Sequence, residues 1–245
     1  MKRRPVKLYH VLQSQGFGTR KACVARVRAG EVAVNGAICD NPEAMIDTAE
    51  LELTLDGVTW PYREKAYVLM NKPAGYECSH HASHHPSVFS LLPPVLVQRG
   101  VQCVGRLDQD STGMLLFSDD GQFIHRMTSP KKNVAKVYRA SCADPVSDVM
   151  LDALRSGVQL NDEPAPIAAL ACEKLDEYTL RLTLAEGKYH QVKRMLGATG
   201  NRVAHLHREA IGSFGLPDSL QAGAWAWLEA GDLTQLELPW PSAMS

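Results

Sequence analysis

The chain has 245 residues and a formal net charge of -1, with 45% hydrophobic and 22% charged residues, enough apolar material for a core in one large domain or in a small domain joined to a medium one. No apolar run approaches the roughly 18 residues of a membrane span, and no secretory core follows Met1-Lys2-Arg3-Arg4-Pro5, so membrane and exported classes are excluded and a cytoplasmic protein is expected. Six cysteines, at 23, 39, 78, 103, 142 and 172, form no Cys-x-x-Cys pair, which argues against a zinc ribbon or disulfide framework and reads as small buried hydrophobes in a reducing compartment.

The near-zero net charge hides a segregation. Residues 1–30 carry eight Lys/Arg and no acid, whereas residues 31–60 carry seven Asp/Glu and no base. A local basic face is what attraction to phosphate requires, because counterion release depends on the charges in contact; the plainer alternative is a solvated helix. Leu8, Val11 and Leu12 have helical spacing, Gly16-Phe17-Gly18 breaks it, and Thr19 is placed to cap a second helix through Arg28 that Gly30 closes. Asn35-Gly36 between two short apolar pieces signals a hairpin. Asp56 to Glu64, with Gly57, Pro61 and three charges, reads as a linker, and Ala66 to Met70 as a buried strand leading into a turn at Asn71 to Tyr76.

Cys78, His80, His81, His84 and His85 are the one metal-like feature, since a thiol and imidazoles can bind zinc. Ser79, Ser83 and Pro86 make the stretch a polar loop instead, and no metal is expected. Residues 87–100 read as a short helix and connector, with Pro93-Pro94 blocking regular structure. Val104 to Gly121 then sets Arg106 and Asp108 ahead of an apolar strand, Met114 to Phe117. Two apart in extended chain, the cation and the acid point the same way; a surface turn with solvated charges is the alternative.

Asp119-Asp120-Gly121 can cap a helix through Met127 that Ser129-Pro130 ends. Lys136 to Cys142 alternates as a strand, Pro145 to Ser156 is helical, and Pro166 to Leu175 and Tyr178 to Leu184 are antiparallel strands about Asp176-Glu177. His190 to Thr199 is a short basic helix, Arg202 to Ile211 a strand and Ala224 to Leu228 a last one. Without regular βαβ alternation the class is α+β with a mixed, largely antiparallel sheet.

Gly105-Arg106-Leu107-Asp108 followed by Ser111 to Leu116 closely resembles the signature of pseudouridine synthases that act on ribosomal RNA, in the branch carrying an N-terminal S4 domain. Lys136-Val137-Tyr138 resembles that family's second motif, and Glu186 to Met195 its third. The resemblance extends from residue 7 to about residue 230. It implies an S4-like RNA-binding domain over residues 1–60, with Arg20, Lys21, Arg26 and Arg28 on its basic helix, and a catalytic domain over 61–245. The usual Arg-Leu-Asp opening of the first S4 helix reads Lys7-Leu8-Tyr9 here, a departure from the pattern.

Isomerising uridine breaks the N1–C1′ bond, turns the base and joins C5 to C1′, with no redox change and no group donor, so no cofactor is expected. A carboxylate can act at the sugar, as glycosidase carboxylates do at an anomeric carbon, and by resemblance that group is Asp108. Burial disfavours a charged carboxylate, so a fixed cation must accompany it. By resemblance the third motif places a Lys or Arg against this acid, and the residue in register here is Lys193, with its neighbour Arg194 as the other candidate. Tyr138 corresponds to the tyrosine that stacks on the target base, against the alternative of an ordinary strand aromatic, and Arg106 to the arginine that accompanies base extrusion, against a structural salt bridge.

Asp110, Asp119 and Asp120 read as capping or loop-solvating acids, and His190 and Gln191 as shaping the pocket. Lys131, Lys132, Lys136 and Arg139 cluster near the second motif, and Lys188 and Arg194 belong to the third; with the small domain's helix they can line a groove for structured RNA. His205, His207 and Arg208 form an alternating strand face suited to RNA contact or to plain surface. Asp119 to Gln122, His125 to Pro130, His190 to Met195 and Leu206 to Glu209 look most like the small-subunit (16S) enzymes; large-subunit members usually have Asn-Arg at His190-Gln191. The resemblance therefore implies a monomeric enzyme acting on 16S rRNA, within a small-subunit assembly intermediate, at a position-516-type uridine. A 23S enzyme, a noncatalytic assembly factor and a hydrolytic glycosidase are the alternatives.

Overall fold

The computed structural model describes residues 5–238. The described residues divide into two compact units, one holding residues 5–66 together with Leu92–Gln102, the other Tyr67–Leu91 together with residues 103–238. Among the described residues no helix is long and apolar enough to cross a membrane.

The first unit has helices Leu8–Ser14 and Arg20–Arg28 and an antiparallel sheet ordered Ala37–Ile38, Val32–Val34, Glu52–Leu55, Val58–Pro61. Thr19 caps the second helix, its hydroxyl accepting from the Ala22 amide at 3.3 Å, and Asn35-Gly36 turns the expected hairpin. Leu8, Leu12, Cys23, Val27, Val32 and Leu53 make the core. The supposed linker at 56–64 instead begins with the turn and second strand of a hairpin. Asp56 and Gly57 both take positive φ, 51° and 77°, the turn that matches strand twist, and Val58–Pro61 pairs back on Glu52–Leu55. Pro93-Pro94 likewise does not block structure: Pro94 opens helix Pro94–Arg99, where its missing N–H is no loss. The Arg99 guanidinium donates to the Gln15 side chain at 2.8 Å and the Arg63 carbonyl at 2.7 Å.

The second unit is built on a mixed, mostly antiparallel sheet ordered Ala171–Lys174, Thr179–Leu184, Lys136–Cys142, Val203–Ile211, Thr112–Ser118, Tyr67–Lys72, Trp225–Trp227. Val203–Ile211 and Thr112–Ser118 are parallel and the other neighbours in this row antiparallel. Leu69, Met114, Leu116, Phe123 and Met127 pack one core cluster. Helix Gly121–Thr128 starts where the Asp120 carboxylate accepts from the Gln122 amide at 3.0 Å, and Asp148–Ser156 where Ser147 accepts from Met150.

Two expectations need correction. Cys23, Cys142 and Cys172 are buried, but Cys39, Cys78 and Cys103 are partly exposed: Cys39 follows strand Ala37–Ile38, Cys78 is in a loop, and Cys103 is on the three-residue strand Gln102–Val104. His205, His207 and Arg208 do not share one exposed face: Arg208 is buried, since adjacent strand residues point to opposite sides. In the His80–His85 loop the Glu77 carboxylate accepts the amides of Ser83, His84 and His85, and His80 stacks on Phe89 with ring centroids 3.6 Å apart.

Candidate active site

Asp108 lies in the loop that feeds strand Thr112–Ser118. The loop's shape is set from below by Lys72, the last residue of the neighbouring strand, whose side chain is wholly buried. Its ammonium lies 2.8 Å from the Ser111 carbonyl, 3.1 Å from those of Pro73 and Asp108 and 3.2 Å from that of Gln109. Burial pulls this lysine's pKa below the ordinary value, and ion–dipole contacts with carbonyls offset the cost of a buried charge.

Gly113 fixes the other side of the loop. Its φ is +100°, and a Cβ there would lie 2.4 Å from the Arg208 carbonyl oxygen. Only glycine allows the approach, and with it the parallel pairing of Thr112-Gly113 to His207-Arg208. The Thr112 hydroxyl lies 2.8 Å from Nδ1 of His207.

Lys193 projects from helix Gln191–Ala198, and its Nζ is 3.1 Å from Oδ2 of Asp108. The same ammonium lies 2.8 and 2.9 Å from the two oxygens of Asp110. Nε2 of His190, the residue that enters the helix with φ 47°, is 3.2 Å from Oδ1 of Asp108. Arg194 points elsewhere, 3.3 Å from the Tyr189 carbonyl and 3.5 Å from Asp162. Adjacent helical residues diverge by about a hundred degrees, so Lys193 alone of the pair reaches Asp108. Burial works against the Lys193 charge, but hydrogen bonds to Asp110 and then Asp108 outweigh it and hold its pKa above the ordinary lysine value. Burial similarly opposes the Asp110 charge, and Lys193 prevails, holding that carboxyl below its usual range.

One cavity brings Arg106, Asp108, Tyr138, His190, Lys193 and Leu206 together. Tyr138, on strand Lys136–Cys142, is buried, while Arg106 is exposed at the same cavity. An acid with a fixed cation beside an aromatic ring suits a reaction in which charge develops on a planar base or a sugar carbon.

The family model described as RNA pseudouridylate synthase matches residues 66–198. The chain belongs to this family. Its members are isomerases, and the three ordered motifs about Asp108, Tyr138 and Lys193 meet in one cavity of this chain. A relative named ribosomal small subunit pseudouridine synthase A from Vibrio vulnificus (strain CMCP6) is 38% identical over 218 residues, 86% of this chain and 90% of the relative. The protein of the same name from Haemophilus influenzae is 36% identical over 219 residues, 89% and 94% of the two chains. A crystal structure described as a pseudouridylate synthase superimposes with TM-score 0.67 at 34% identity, covering 94% of this chain and 99% of that one.

The residues expected to touch RNA are in varied settings. Arg20 lies over the Tyr9 ring at 4.8 Å, and Lys21, Arg28, Lys131 and Lys132 are exposed. Arg26 is paired with Glu31 at 3.0 Å and Asp56 at 2.5 Å, and Lys188 with Glu163 at 2.6 Å and Glu186 at 3.3 Å. Three neighbours of Asp108 escaped sequence reasoning in their present roles. Asp110 shares Lys193, His190 contacts the acid directly, and Lys72 braces the loop from underneath.

Proposed function

We propose that this pseudouridine synthase isomerises one uridine of 16S small-subunit ribosomal RNA, by resemblance the position-516-type site, in an assembly intermediate in the cytoplasm and as a monomer. Asp108 is the nucleophile at the extruded nucleotide. Lys193 supplies its countercharge, Tyr138 stacks on the uracil, and Arg106 occupies the space the base leaves in the RNA or holds a phosphate. Residues 1–60 are an S4-like RNA-binding domain, with Arg20, Lys21, Arg26 and Arg28 toward the RNA, and residues 61–245 the catalytic domain. Lys131, Lys132, Lys188 and Arg194 border the groove that holds the strand.

The observation that carries this reading is the 3.1 Å approach of Lys193 to Asp108 in a cavity that also contains Tyr138. A cation so close stabilises the carboxylate, and an aromatic wall holds a flipped base. The names of the relatives, with their coverage, support the small-subunit substrate.

Two measurements test it. Pseudouridine mapping by carbodiimide primer extension in a deletion strain should lose one 16S site; loss of a 23S site with 16S unchanged would transfer the substrate to the large subunit. Tritium release from C5-labelled transcript should be abolished by Asp108→Asn, and equal release by variant and parent would remove Asp108 from its role. Free uracil as product would mark a hydrolase, and an inactive parent that binds RNA an assembly factor.

A further inference from the structure

A second cavity shares Arg106, Tyr138, Glu186 and Lys188 with the first. Its charge is one-sided. Four basic side chains line it, Arg106, Lys136, Lys188 and Arg208, against one carboxylate, Glu186. Glu186 is spent on Lys188 at 3.3 Å, and Lys188 is held again by Glu163 at 2.6 Å. Arg106, Lys136 and Arg208 have no carboxylate within ion-pair distance among the described residues.

The two inner cations are incompletely satisfied. Nζ of Lys136 donates to the Val134 carbonyl at 2.8 Å and more weakly to that of Met127 at 3.5 Å, which leaves a third N–H for the cavity. Arg208 is only 3% exposed. Its Nε donates to the Met114 carbonyl at 2.7 Å, but Nη2 is sealed from solvent and has no hydrogen-bond partner. Burial first, and then the like charge of Arg208, bring the Lys136 pKa down to about 8, with no acid opposing them. Leu116, Met127 and Ile211 supply apolar walls, which strengthen each electrostatic contact.

Uncompensated buried cations cost stability in the free protein and are matched when an acceptor-only anion arrives. A phosphodiester has only acceptor oxygens there, and these pair with Lys and Arg alike. We propose that this cavity is a phosphate subsite, in which Lys136 directly contacts, and Arg208 provides the second charge for, the phosphodiester next to the uridine held in the first cavity. The assignment rests on the RNA-modifying reading above; the shared wall of Arg106 and Tyr138 lets one strand occupy both cavities.

The test is tritium release from a C5-labelled 16S transcript by the full-length parent, Lys136→Met and Lys136→Arg across a series of KCl concentrations. Lys136→Met should raise KM about tenfold and reduce the slope of log(kcat/KM) against log[KCl] by about 0.7, one phosphate contact to a single strand. Lys136→Arg should recover both. Inorganic phosphate should compete with transcript in the parent and lose that effect in Lys136→Met. An unchanged slope with a fall in kcat or melting temperature overturns the subsite and makes Lys136 a strut for the 127–134 segment. Competition by inorganic phosphate with an unchanged RNA slope overturns the strand assignment in favour of a free anion. A parent that releases no tritium would instead sink the functional reading itself.

Discussion

The ammonium of Lys193 lies 3.1 Å from Asp108 while also chelated by Asp110 at 2.8 and 2.9 Å. One cation thus serves two carboxylates, and only the first lines the cavity with Tyr138. Removing the cation and removing the competing acid should therefore have opposite electrostatic effects on Asp108.

Lys193→Met should lower kcat for tritium release by about a hundredfold, the usual scale for loss of one fixed charge in an active site, with a smaller change in KM. Lys193→Arg should retain much more activity because the positive charge remains. Steady-state kinetics on a transcript checks both, and a Met variant as active as the parent contradicts the countercharge role.

Asp110→Asn should leave Lys193 to Asp108 alone and keep kcat within about tenfold of the parent. It should also flatten the acid limb of stability. The Asp110 carboxyl is held below its ordinary range in the fold, so its contribution is present above about pH 4 and lost as pH falls through the folded value. Urea midpoints of parent and variant between pH 2 and pH 6 should converge at the acid end; a constant difference would contradict the linkage.

Lys72→Met should destabilise the second unit by about 3 kcal/mol, since buried carbonyls lose their donor, and activity should fall further than unfolding explains because the Asp108 carbonyl is one of those acceptors. Urea denaturation and kcat at a temperature where the variant remains folded separate the two effects.

Gly113→Ala should cost about 2 kcal/mol or more. The residue has φ +100°, and the new methyl would press on the Arg208 backbone. A shift of the thermal midpoint downward with loss of activity is expected, whereas Gly121→Ala, with open space around its Cβ position, should be nearly neutral.

Much of the fold was legible because short-range chemistry determined it. Thr19 and Asp120 cap the helices they precede and Asn35-Gly36 turns a hairpin. The same rule applied to Asp56-Gly57 would have replaced the linker with the hairpin found there, but Pro61 and the surrounding charges obscured it. Pro94 misled because proline forbids helix interiors and favours the first turn.

Within the site, the motif residues converge where their order and types suggested, and the choice between Lys193 and Arg194 became readable only with the helix phase in place. Lys72 was hidden for a different reason. Its partners are carbonyl groups, which every residue has, so no pattern of side chains announces a buried lysine that binds backbone.

The parallel contact of Gly113 with Arg208 joins segments made far apart in time during synthesis. The loop bearing Asp108 leaves the ribosome long before the strand that braces it. The loop bearing Asp108 therefore takes its final shape only once the late strand docks against Gly113.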